Sequence, residues 1–142
     1  MIRMKGVKKK FGSREILRGV DIDIEKGETM VILGGSGTGK SVSIRHIVGL
    51  LEPDHGEVLI DGKSMSHGNR KLRQYLRSRM GVLFQSGALI NWLSVYNNVA
   101  LPLRELKLAD EKEIDRIVIE KLEWLGLMAA KDLLPNDISG GM

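Results

Sequence analysis

The run Gly34-Gly35-Ser36-Gly37-Thr38-Gly39-Lys40-Ser41 constrains this chain more than any other stretch. Before it, Thr29-Met30-Val31-Ile32-Leu33 is apolar without alternation, the pattern of a strand buried on both faces in a parallel α/β sheet. After it, Ser41 to Leu51 reads as a helix with Ile44, Ile47, Val48 and Leu51 on one side. The glycine run itself fits G-x-x-x-x-G-K-[ST]. Glycines let successive backbone N–H groups curl around phosphate oxygens without Cβ clashes. Lys40 can reach the β- and γ-phosphates, the Ser41 hydroxyl can ligate Mg²⁺, and the helix that starts here points its positive end at the same anion. A glycine-rich turn matching by accident is the alternative, and the flanking strand and helix patterns weigh against it.

Around this loop the first half reads as strands. Val20-Asp21-Ile22-Asp23-Ile24 alternates, as an antiparallel strand with one wet face does, and Glu25 to Glu28 is a polar turn. Pro53 to Gly56 is another turn, and Glu57 to Gly62 a short strand with a turn after it. Arg70 to Arg79 has a helical pattern, followed by a buried strand from Met80 to Gln85. Asp110 is the N-cap of the clearest helix, with Glu113 at the capping-box position. Ile114, Ile117, Val118, Leu122 and Leu125 form its apolar face, and Gly126 is its stop.

Composition closes off other classes. With 142 residues, 42% hydrophobic and 28% charged, the chain has the length and balance of one globular domain. No cysteine is present, which excludes a disulfide scaffold and a thiolate metal site. Lys and Arg total 22 against 18 Asp and Glu, and a net charge of +4 is weak for a nucleic-acid-coating protein. Neither a signal peptide nor an apolar stretch of membrane-spanning length is visible, so the expectation is a soluble, cytoplasmic chain that can reach a membrane through a partner.

Further residues carry a resemblance. Val82-Leu83-Phe84-Gln85 resembles the Q-loop of ATP-binding-cassette (ABC) ATPases, and Ile138-Ser139-Gly140-Gly141-Met142 resembles their signature segment. Phe11 stands where that family places an aromatic that stacks on adenine, and Gly56 to Gly62 resembles the family's β-hairpin. Two further runs, Gln85 to Leu89 and Leu93 to Arg104, are similar to ATPases of Mla/Mce-type lipid transport, as is the stretch Gly34 to Val42.

The resemblance implies an α/β P-loop NTPase fold. It implies that residues 1–85 form the nucleotide-binding core with an antiparallel β subdomain. Residues 86–142 are then expected to form a helical subdomain ending at the signature, with the C-terminal part of the core sheet lacking. It implies ATP and Mg²⁺ as cofactors, held by Phe11, the loop from Gly34 to Val42, and Gln85 as a metal and water ligand. Ser139, Gly140 and Gly141 would face ATP on a second, identical subunit. A membrane permease would dock near residues 86–104, placing the protein at the inner face of the cell membrane, and no nucleic acid is expected.

One departure is large. The family carries four aliphatic residues, then Asp and Glu, after the signature, and later a switch histidine. None of the three follows Met142 here. Val58-Leu59-Ile60-Asp61 is no substitute, because Gly62 follows it and it precedes the Q-loop. His46, His55 and His67 have structural or solvated settings rather than catalytic ones. The expectations are therefore an isolated chain with turnover near background and a carboxylate at Met142 that disfavours closure on ATP. Val31, Leu33, Val82 and Phe84 should lose sheet neighbours, leaving the chain marginally stable or associating through open edges.

Several readings stay open at this level. The Ser139 segment is either a signature or a frayed terminus. Leu89, Ile90, Trp92, Leu93, Val95, Tyr96 and Val99 are either local core or a partner surface. Arg70, Arg73 and Arg77 share a helix face, solvated or meeting an acidic partner, and Trp124 reads as helix packing. For the whole chain the choice lies between a lipid-transporter ATPase subunit and a non-hydrolysing nucleotide-binding module. A soluble nucleic-acid-acting protein is the weaker third.

Overall fold

The alternation in Val20 to Ile24 is realised as the C-terminal half of a long antiparallel strand. In the computed structural model, which describes residues 1–84 and 87–142, β1 (Ile2–Phe11) pairs with β2 (Arg14–Ile24) through a tight turn at Gly12-Ser13. Its other edge pairs with β3 (His55–Ile60), and β3 with the short β4 (Lys63–Ser64). The order is β2-β1-β3-β4, antiparallel throughout. Met4 sits between Ile22 and Val58 in the ladders and is buried, as is Val7.

Three residues apart, Met4 and Val7 should face opposite sides of a regular strand. A register shift between them restores the inward direction of Val7. Gly56 passes so close to this bulge that an added Cβ would collide with the carbonyl oxygens of Lys5 and Gly6, so only glycine fits there.

The described residues divide into two compact units, Met1–Val82 and Leu83–Met142. In the first, α1 (Lys40–Ile47) and α2 (Arg70–Arg77) accompany the sheet. Its core joins Met4, Val7, Leu17, Val58 and Ile60 of the strands to Ile47, Met65 and Leu76. In the second, α3 (Val95–Glu105) and α4 (Glu111–Trp124) pack through Val95, Ala100, Ile114, Val118 and Leu122. Asn98 ties the preceding loop to α3: its amide accepts from Ile90 N–H at 2.7 Å and donates to the carbonyls of Ile90 and Leu93.

Several expectations are corrected. Residues 29–33 and 80–84 form no strand among the described residues. A strand is defined by a neighbour to pair with, and every ladder present is antiparallel and formed by other segments. Val31 and Leu33 are 71% and 85% exposed, and Val82 and Phe84 are exposed as well, as expected of apolar residues without sheet neighbours.

Helix α1 ends at Ile47 rather than Leu51, and Ile44 faces solvent while Ser43, His46 and Ile47 face inward. Trp124, the last residue of α4, and Leu125 after it are exposed; Trp124 lies under the Lys121 ammonium, 4.0 Å away, rather than in a core. Asp110 caps α4 by accepting the Glu113 N–H at 2.9 Å, but the Glu113 carboxylate turns to Arg116 instead of closing a capping box. At the other end Gly126 and Leu127 donate to the carbonyls of Glu123 and Leu122, a C-terminal cap of the Schellman type.

No helix of the described residues is long and apolar enough to cross a membrane.

Candidate functional site: the glycine loop and its cleft

Three of the four α-helices are capped by a side chain: Asn69 on α2, Ser94 on α3 and Asp110 on α4. Helix α1 has none. Its N-cap is Gly39, at φ 94° and ψ 1°, so its first-turn N–H groups have no side-chain acceptor. The left-handed conformation suits glycine, and the packing demands it: a Cβ on Gly39 would stand 2.7 Å from Leu17 Cδ2. The loop is thus pressed onto β2 at its last residue.

Within the loop, the Thr38 hydroxyl donates to the Gly35 carbonyl at 3.0 Å. Lys40 curls back, its ammonium donating to the carbonyls of Gly34 at 2.7 Å and Gly35 at 2.6 Å. Gly34, Gly35 and Ser36 form the exposed entry to the loop. Gly37, Thr38, Gly39, Lys40, Ser41 and Val42 line a cleft of about 230 Å³, and Phe11, Arg14 and Ile16 form its other wall. Phe11 is 47% exposed. Among the described residues the Ser41 hydroxyl has no hydrogen-bond partner, and it opens on the same cleft.

This donor set fits a small hard cation carried by a phosphate chain. Mg²⁺ needs few protein ligands when phosphate oxygens and water complete its shell, and a single free hydroxyl at a helix start is such a ligand. Gln85, the second expected metal ligand, lies outside the described residues. No cluster of three acidic or histidine side chains suited to a metal occurs among the described residues.

Neighbouring charges hold the Phe11 wall in place. The Asp54 carboxylate accepts from Lys9 Nζ at 2.8 Å and from the Lys10 N–H at 2.7 Å. The Lys9 bond, with the Lys10 N–H second, holds its pKa below the ordinary 3.8. The Lys9 ammonium also lies 5.9 Å from the Phe11 ring centroid.

Of the other expected residues, Ser139, Gly140 and Gly141 form an exposed turn closed by the Met142 N–H on the Ser139 carbonyl at 3.0 Å. Ile138 beside them packs on the helical core. In the stretch 87–104, Val95 is core and Tyr96 and Val99 pack against it, while Leu89 and Trp92 are exposed, Trp92 at 81%. That apolar run therefore divides between core and surface. His46 is buried, its Nδ1 2.7 Å from the Val42 carbonyl, which is a structural setting; His55 and His67 lie outside the cleft. Arg73 pairs with Glu52, and Arg77 donates to the Gly49 carbonyl at 2.6 Å, so the arginine face of α2 is partly used inside its own unit.

Arg14 and Ile16 are cleft residues that motif reading misses. They belong to no motif, and only the hairpin pairing of Phe11 with Arg14 could have pointed to the first.

Residues 17–142 match the ABC transporter family. The chain is 46% identical over 141 residues to the probable ribonucleotide transport ATP-binding protein mkl of Mycobacterium leprae, covering 99% of this chain and 41% of that one. It is 42% identical over 143 residues to the intermembrane phospholipid transport system ATP-binding protein MlaF of Haemophilus influenzae, covering 100% of this chain and 54% of that one. A dimeric ATP-binding cassette solved in a post-hydrolysis state with ADP and Pi superposes with a TM-score of 0.85. It is 32% identical over 99% of this chain and 64% of that structure. The chain thus spans about half the length of the curated relatives it matches.

Proposed function

The chain belongs to the ABC transporter family, and from that premise we propose that it is the ATP-binding part of a transporter's energy-coupling subunit, with phospholipid as the cargo. The observation that carries the nucleotide reading is the shared cleft: an exposed aromatic ring on one wall, and on the other a glycine loop running into a helix without a side-chain cap. Adenine stacks on Phe11, and the loop from Gly34 to Val42 wraps the phosphates with its N–H groups. Lys40 leaves the carbonyls of Gly34 and Gly35 for the β- and γ-phosphates, and Ser41 holds Mg²⁺ with Gln85. The metal, when bound, neutralises phosphate charge.

In the complete protein, residues 1–85 carry the nucleotide and residues 86–142 reach the partners. Two identical subunits close on ATP with Ser139, Gly140 and Gly141 facing the nucleotide of the opposite subunit, and a permease docks at residues 86–104, where Leu89 and Trp92 are exposed. Docking of this kind brings the protein to the inner face of the cell membrane. The phospholipid reading is supported by the 42% identity to MlaF and by the similarity of residues 85–104 to lipid-transport ATPases. The 46% identity to mkl, named for ribonucleotide transport, makes a nucleotide cargo the competing outcome.

The test is Lys40→Ala. The variant is expected to lose MgATP binding measured by calorimetry, and an allele carrying it to lose phospholipid movement between membranes while ribonucleotide uptake stays normal. Unchanged ATP affinity removes the phosphate-loop assignment, and a defect confined to ribonucleotide uptake reverses the cargo.

A further inference from the structure

The hairpin that carries Phe11 also carries a cation. Phe11 and Arg14 are directly paired across the Gly12-Ser13 turn, so their side chains leave the sheet on the same face. Both line the cleft of the glycine loop. Arg14 Nη2 lies 3.5 Å from the position a Cβ would take on Gly37, which places the guanidinium over the middle of the loop.

The two cations of the cleft differ in occupation. Lys40 is satisfied by the carbonyls of Gly34 and Gly35. Arg14 makes no ion pair and no side-chain hydrogen bond among the described residues, and no Asp or Glu lines the cleft to compete for it. A guanidinium is planar, always charged and built to take two phosphate oxygens at once. We propose that Arg14 is a nucleotide-contacting residue of this cleft, its guanidinium taking the α- and β-phosphate oxygens of the nucleotide whose base stacks on Phe11. The assignment to these phosphates follows from position: Arg14 adjoins the base platform, while Lys40 is placed at the far end of the chain of phosphates. The proposal rests on the nucleotide reading of the loop.

Calorimetry of the purified protein with MgATP, MgADP and Mg-pyrophosphate tests it, using the parent, Arg14→Gln, Arg14→Lys and Lys40→Ala. Arg14→Gln is expected to weaken MgATP and MgADP alike, by about tenfold, the range of one charge-assisted hydrogen bond. Arg14→Lys should keep part of the affinity, and the melting temperature of Arg14→Gln should match the parent, since no described contact is lost. ATP and ADP affinities of Arg14→Gln within twofold of the parent overturn the proposal. A loss for ATP with ADP unaffected overturns the placement on the α- and β-phosphates. Pyrophosphate bound as tightly as ADP, with the same dependence on Arg14, overturns the pairing with the base and makes this an inorganic phosphate site. If Lys40→Ala binds ATP like the parent, the loop reading fails and Arg14 falls with it; if Lys40→Ala is weak and Arg14→Gln is not, Arg14 alone falls.

Discussion

At Gly39 two demands coincide. The backbone is left-handed at φ 94°, and the Leu17 side chain leaves no room for a Cβ. Holding alanine in that conformation costs about 1–3 kcal/mol before the contact is relieved. Gly39→Ala is therefore expected to lower the melting temperature and to weaken MgATP binding together, since the loop must lift off β2. A variant with parental melting and parental affinity would show that the loop does not depend on this packing. The residues of the loop were legible in the sequence because the motif fixes type and spacing together, from Gly34 to Ser41. Arg14 was not legible, because its place depends on pairing with Phe11 across a turn and on a loop more than 20 residues away.

Among the elements, the sheet's connection to the turn before β3 is electrostatic as well as hydrogen-bonded. Asp54 receives Lys9 and Lys10 of β1, and those bonds hold its pKa below 3.8 in the folded protein. A carboxylate depressed on folding stabilises the fold above its unfolded pKa and loses that contribution as pH falls through the folded value. Asp54→Asn should therefore melt below the parent at neutral pH, and the gap should close as pH falls below 3.8. A gap that stays constant through that range in pH-dependent melts would contradict the assignment. Helix α4 was read from its period, its Asp110 N-cap and its Gly126 stop, while the Glu113 capping box does not form and Leu125 was misplaced: the helix ends at Trp124, and a residue past the last turn no longer follows the helical face. The expected strands at 29–33 and 80–84 failed for a different reason. Their apolar pattern states what they would bury, but a strand also needs a neighbour, and local sequence carries no information about that.

For the molecule as a whole, the two units have separate cores, and the cleft belongs entirely to the first. Composition has the balance of a globular chain, while Val31, Leu33 and Trp92 are apolar surface on it. One similar cassette, of which this chain covers 64%, is a dimer, and that is the setting proposed above. The proposal for the first unit is narrower, namely that one nucleotide bridges the hairpin tip and the glycine loop. Amide NMR of the protein titrated with MgATP measures that most directly. The account predicts the largest shifts at Gly37, Gly39, Lys40 and Ser41 together with Phe11, Gly12 and Arg14, while the amides of α4 stay still. Saturation of the protein with MgATP while those two groups remain unmoved would contradict it.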